Sequence, residues 1–339
     1  MDFSIAPEHQ HFAASLHDML AAADGLAAAR SVASGERGPA LKIWRSLADL
    51  GATALAVPAE YGGLDAHPAV LVLACEEIGH HAIPGPVAES LAATPQLLAG
   101  VNVPGHDDYL GQLAAGGLIA TLAAPPVVRY AADTDMAGLV LLAEPAAARI
   151  STARPVRITR SVDPARTVAE ITGDRLLADG EAAAGAAARA IDFGALATAA
   201  QLLGAGRALL EETARHARDR VQFGRPVGSF QAVKHQLADV LIGLEFARPL
   251  LFAAAVAVAN DSPTASRDVS AARVACADAA HQAARVGLQV HGAIGYTAEH
   301  DVSVWLTKIE ALRRAWGTQA WHRARVLAAL TDRGSPPCA

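Results

Sequence analysis

Residues 219–231 read DRVQFGRPVGSFQ, a cationic and aromatic break in a chain otherwise rich in alanine and leucine. The Gly-Arg-Pro turn places Arg220 and Phe223 near a helix end. A planar guanidinium there can grip a diphosphate, and a phenyl ring can lie against a flat heterocycle. Read as chemistry, the stretch is a candidate dinucleotide grip. Read as structure, it is a helix connection whose Arg220 pairs with Asp219 or a nearby carboxylate. Residues 289–299, QVHGAIGYTAE, form a second glycine-bearing break, where backbone can approach a ligand closely or simply cap a helix.

The elements that must hold these loops follow from composition and periodicity. The chain has 339 residues, 52% hydrophobic, 18% charged and 4% aromatic, so its core must be built from Ala, Leu and Val in close-packed helices. Its length predicts two domains, or three if one is small. A net charge of −6 argues against nucleic acid or an anionic membrane held by a global field. The beginning, MDFSIAPEHQHFAASLHDML, lacks a basic head and an apolar run, and the longest purely apolar stretch, Pro249 to Ala259, falls short of the about 20 residues a membrane span needs. Cys75, Cys276 and Cys338 are odd in number and far apart, which predicts neither a disulfide frame nor a metal cluster and suits a reducing cytoplasm.

Three segments emerge: a helical one over 1–117, a small β region over 118–183, and a helical one over 184–339. In the β region, LIATLA, GLVLLAE and TVAEI favour strands. In the last segment, helical periodicity over about 189–220, 230–259, 265–292 and 301–331 predicts an up-and-down four-helix bundle.

The paired motifs RVQFGRPVGSFQ and QVHGAIGY, with LADLGATALAVPAEYGGLDAHPAVLVLACEEIGHH earlier, resemble the acyl-CoA dehydrogenase family. The resemblance covers nearly the whole chain and implies a mainly α fold with a helix, β, helix order. It also implies FAD-dependent α,β-desaturation of an acyl-CoA thioester, with a carboxylate as base. In such dimers the two motifs reach the FAD of the neighbouring subunit. Arg220, Gln222, Phe223, Gln289, Gly292 and Ala293 would be those arms, with Ala293 standing where the family usually has Gly.

Other family positions depart. The usual Tyr-Glu-Gly-Thr run is RAWGT here, so Trp316 replaces the base while Gly317 and Thr318 remain. An indole cannot accept a proton from carbon. The alternative base position, on the helix before the arginine loop, is Gly194. An adjoining Asp-x-x-Arg feature is reduced to Asp192 and Ala195, and Asp192 is equally readable as a helix cap. The middle region lacks the family's Thr-Glu-Pro, Gly-Ser-Asp and Trp-x-Thr runs, so the chain's own flavin platform looks deleted. No catalytic residue is expected in this chain.

The pattern resembles the non-catalytic partner in heteromeric α2β2 acyl-CoA dehydrogenases that bacteria use on steroid side chains. That resemblance implies FAD at the interface with a catalytic subunit, acyl-CoA held mainly by the partner, and an electron-transfer flavoprotein as acceptor. The alternatives are a homomeric dehydrogenase with an unrecognised base and a non-redox scaffold or CoA-thioester binder. Among lesser features, Glu310 is expected at the surface, and Glu245 with Arg248 as a helix-face pair. Trp305, Trp316 and Trp321 are expected as core or interface anchors. His80, His81 and His291 show no carboxylate or Cys at ligand spacing, so no metal is expected.

Overall fold

The computed structural model describes residues 6–331 except 104 and 298; Cys338 lies outside the described residues. Six α-helices lead: α1 (Pro7–Ala22), α2 (Gly25–Ala33), α3 (Gly38–Asp49), α4 (Pro68–His80), α5 (Thr94–Ala99) and α6 (His106–Ala114). Local chemistry starts them. Asp24 accepts a hydrogen bond from the Ala27 amide ahead of α2, and Pro68 occupies the first position of α4, where its missing N–H costs nothing.

A five-stranded sheet follows, ordered β1-β3-β4-β5-β2. Its strands are β1 (Ala120–Ala123), β2 (Ala131–Ala132), β3 (Leu139–Glu144), β4 (Arg149–Arg160) and β5 (Thr167–Asp179). Only β1 and β3 pair in parallel. The runs LIATLA, GLVLLAE and TVAEI fall in β1, β3 and β5. The long β4, RISTARPVRITR, gave no such signal because four arginines and Pro155 interrupt it; a register shift between Pro155 and Arg157 absorbs the proline.

Helices then return as α7 (Glu181–Asp219), α8 (Gln231–Ala259), α9 (Ala265–His291), α10 (Val302–Leu312) and α11 (Gln319–Thr331), with a hairpin of β6 (Val221–Gln222) and β7 (Arg225–Pro226) between α7 and α8. The architecture is the mainly helical fold with a small sheet that the sequence predicts. Helix α7 begins two turns before the expected start, because EAAAGAAARA is strongly helix-forming and not merely repetitive. Asp192 therefore sits inside α7 and is no cap.

Packing of α7 against α4 decides where everything else sits. A Cβ on Gly204 would come within 1.8 Å of the Glu76 carbonyl oxygen, and one on Gly79 within 2.2 Å of the Gln201 carbonyl oxygen. The two backbones touch with no side chain between them. By length and composition α7 and α8 each could cross a membrane, beyond what the longest apolar run suggested; the apolar window of α7 is 89% buried and that of α8 only 39%.

The expected fourth bundle helix is two helices. Trp316 and Gly317 both adopt positive φ, +54° and +98°, and turn the chain between α10 and α11. Buried Arg273 closes the break by donating from Nη2 to the carbonyls of Leu312 (2.7 Å) and Ala315 (2.9 Å), groups a helix end leaves unsatisfied. Burial lowers the pKa of Arg273 to about 10. His322, held down to about 3 chiefly by burial, is neutral and donates Nε2–H to the Trp316 carbonyl at 2.9 Å, while Nδ1 accepts from Ser270.

Candidate functional site

The first loop is a two-residue hairpin. Val221 faces Pro226 and Gln222 faces Arg225, leaving Phe223 (φ +53°) and Gly224 (φ +76°) as the turn. Two consecutive left-handed residues match the twist of a tight hairpin, but a bulky aromatic at the first of them is strained. The ring is 92% exposed. Strain combined with exposure means that this site presents Phe223 outward at a cost to the fold. The base of the hairpin is firm: the Val227 amide donates to the Arg220 carbonyl (2.8 Å), and the Arg225 guanidinium lies 4.1 Å from the Phe230 ring centroid. Arg220 is exposed, and among the described residues no carboxylate pairs with it, Asp219 included.

The second loop begins where α9 ends. Gly292, at φ +65° and ψ −141°, stops the helix and starts a tight turn through Tyr296. Gln289, Gly292 and Ala293 are exposed and line, with Arg285, His281 and Tyr296, an open cleft of about 910 Å³. The two loops leave the same end of the bundle, since His216 of α7 stacks on His291 of α9 with ring centroids 4.2 Å apart. His291 is buried, with Nδ1 facing the Gly287 carbonyl at 2.7 Å, so it is packed into the helix end.

The two places where a base was sought lie against each other. A Cβ on Gly194 would fall 2.2 Å from Cε3 of Trp316, so the indole occupies the room that a side chain at 194 would need. Trp316 is 1% exposed, and its Nε1 donates to Glu89 Oε1 at 3.0 Å. Glu89 also accepts from Arg166 (3.1 Å). Here sequence reading missed Glu89 and Arg166; the only signal was a lone carboxylate in the apolar run PVAESLAATP. Around them sit Asp133, pushed up to about 7 chiefly by burial, and Lys308, lowered by burial and donating to the Ile83 carbonyl at 2.8 Å. The result is a closed polar plug in which the indole ring and an ion pair take the place of a cavity.

Asp192 accepts from Ser266 (2.5 Å) and Arg325 (2.5 Å), tying α7 to α9 and α11, and Ala195 beside it is fully buried. Glu310 lies in a surface cluster with His281 (2.8 Å) and Arg313 (3.0 Å). Arg248 is not settled by Glu245: it turns inward to Glu76 of α4 at 3.5 Å, because buried Glu76 needs cationic partners and Arg207 supplies the other. Trp305 is buried and donates to the His80 carbonyl. Cys75 and Cys276 are buried free thiols whose pKa burial raises to about 12. The reading that His80 and His81 lack a carboxylate neighbour is corrected by the fold. Glu77 lies one turn before His80, and α1 brings His17 beside it, with His17 Nδ1 2.8 Å from Glu77 Oε2.

Comparison with known proteins places this geometry. The profile described as "Acyl-CoA dehydrogenase, C-terminal domain" matches residues 184–331, and "Acyl-CoA dehydrogenase, N-terminal domain" matches 6–117. Acyl-CoA dehydrogenase IpdE2 of Mycobacterium tuberculosis is 32% identical over 305 residues, 89% of this chain and 90% of that protein. The ChsE4-ChsE5 complex from Mycobacterium tuberculosis superposes with a TM-score of 0.84 at 23% identity, over 99% of this chain and 100% of that one. A variant of the steroid ACAD Tcur3481-Tcur3483 gives 0.83 at 21% identity, over 96% and 98%. Two matched profiles and a relative aligned along most of both chains show that this chain belongs to the acyl-CoA dehydrogenase family, a family of FAD-dependent oxidoreductases.

Proposed function

We propose that this chain is the non-catalytic subunit of a heteromeric acyl-CoA dehydrogenase, lending FAD-binding arms to a catalytic partner. One observation carries the reading: the indole of Trp316 is buried on Gly194, so both positions of a family base are spent on packing. Glu89, the carboxylate bonded to that indole, is 2% exposed and already engaged by Arg166, so it cannot meet a substrate.

The chain's exterior fits the complementary half of the proposal. Exposed Arg220 and Phe223 suit a pyrophosphate and a ring, and Gln222, Gln289, Gly292 and Ala293 supply donors and close backbone beside them. Bound FAD would supply hydride acceptance from the β carbon of an acyl-CoA. Between the loops and the far end of the bundle, α8 shows an uncovered apolar face of Leu241, Ile242, Phe246 (75% exposed) and Leu250. Such a face is what a partner subunit covers. The names of the ChsE4-ChsE5 complex and the steroid ACAD Tcur3481-Tcur3483 support pairing of unlike chains, and the second supports a steroid substrate, read here as a side-chain CoA ester. An electron-transfer flavoprotein as acceptor and a cytoplasmic setting belong to the same reading.

Flavin absorbance and native mass test it. The chain expressed alone should be colourless. Co-expressed with its catalytic partner it should form an α2β2 assembly with one FAD for each pair of unlike chains. A chain that alone retains stoichiometric FAD and desaturates an acyl-CoA overturns the proposal.

A further inference from the structure

A cluster of imidazoles lies where α1, α4 and α7 meet. Glu77 and His80 stand one turn apart on α4, His81 follows at its end, and His17 reaches across from α1. One ligating atom from each of the four side chains can be chosen so that all lie within 4.8 Å of one another. Within the group His17 Nδ1 is 2.8 Å from Glu77 Oε2 and 3.2 Å from His81 Nε2. A tetrahedral zinc with bonds of about 2.0–2.1 Å holds its donors about 3.3 Å apart, close to the 3.2 Å between His17 Nδ1 and His81 Nε2.

The surroundings are those that metal ligands require. His80 Nε2 is 3.1 Å from Glu211 Oε2 on α7, while its buried Nδ1 has no hydrogen-bond partner. That leaves Nδ1 as the atom with a lone pair to give, oriented by a carboxylate behind it. Arg207 sits 4.0 Å from Glu77 Oε1, leaving Oε2 toward His17. Trp305 donates to the His80 carbonyl at 3.0 Å and fixes the end of α4. His17 is 44% exposed, which gives an ion a way in.

We propose that His17, Glu77, His80 and His81 form a binding site for one divalent transition metal of the zinc class, with Glu211 orienting His80. Imidazole and carboxylate donors in this number select zinc-like ions over calcium or magnesium, which take oxygen shells. The ion would clamp α1 onto α4 and, through Glu211, onto α7.

The test uses the full chain without a purification tag, stripped with a chelator and titrated with Zn²⁺ against a chromophoric competitor. The expected result is one zinc per chain and a melting temperature that rises with added Zn²⁺. His17→Ala and Glu77→Gln should each weaken binding by at least about 100-fold, more than loss of an outer partner, and Glu211→Gln by about 10- to 100-fold. His300→Ala, in the separate His216, His291 and His300 trio, should leave affinity unchanged. His17 lies on the helix surface, so circular dichroism of His17→Ala should match the parent; Glu77→Gln carries the test if it does not. No zinc uptake by the parent, or one tightly held zinc surviving the His17→Ala/His80→Ala pair, overturns the site.

Discussion

At the scale of single residues, Gly194 and Trp316 are spent on packing. The contact between Gly194 and Trp316 leaves no room for a methyl group, so Gly194→Ala should destabilise by about 1–3 kcal/mol although alanine is the better helix former. The same substitution in a Trp316→Ala background should cost less, since the ring it strikes is gone. A double-mutant cycle in urea measures that coupling. Asp133 makes a second prediction. Its folded pKa of about 7 lies above the ordinary 3.8, so the fold carries the cost of an ionised, buried carboxylate above pH 7 and sheds it below about pH 4. Stability should therefore fall as pH rises through this window, by up to about 4 kcal/mol at about 1.4 kcal/mol per unit. Asp133→Asn should flatten the dependence of the urea midpoint on pH between 4 and 7. Arg166, Lys308 and Glu89, the charged groups around it, remain in that variant as an internal control.

At the scale of elements, the α4–α7 crossing is the joint on which the plug and the histidine cluster both depend. Gly204→Ala would drive a Cβ into the Glu76 carbonyl, and no flexible side chain can move out of its way. The expected cost is about 1–3 kcal/mol, seen as a lower urea midpoint with an unchanged slope. The break between α10 and α11 has a comparable logic. A continuous helix would carry Trp316 past the core, whereas the left-handed turn at 316–317 swings the indole onto Gly194 and leaves carbonyls for Arg273 and His322 to satisfy.

At the scale of the whole molecule, the exposed groups fit the proposed role of holding a partner's flavin. Phe223 is strained and exposed, Arg220 is unpaired by any described carboxylate, and the face of α8 is apolar and open. Arg220→Ala and Phe223→Ala should each lower the FAD content of the co-expressed complex, read as flavin absorbance per protein. The stability of this chain alone should change by no more than about 0.5 kcal/mol, the range for surface substitutions. A hairpin residue that served the fold would show the opposite pattern.

The sequence by itself determined the order of helices and sheet, the loops at the bundle's end and the presence of Gly194 and Trp316 at the positions where the family resemblance looks for a base. Those properties are carried by neighbours in the chain: hydrophobic period, alanine content, and Gly or Pro at breaks. It did not reveal β4, where arginines and Pro155 mask the alternation, nor the split after Leu312, where Trp316 joins Gly317 in a left-handed turn. Only the tertiary structure decided that Trp316 fills the space over Gly194, 122 residues away, that Glu89 and Arg166 seal it, and that His17 meets Glu77, 60 residues on. Such contacts depend on how closely helices cross, which glycines at 79 and 204 permit but no local period encodes.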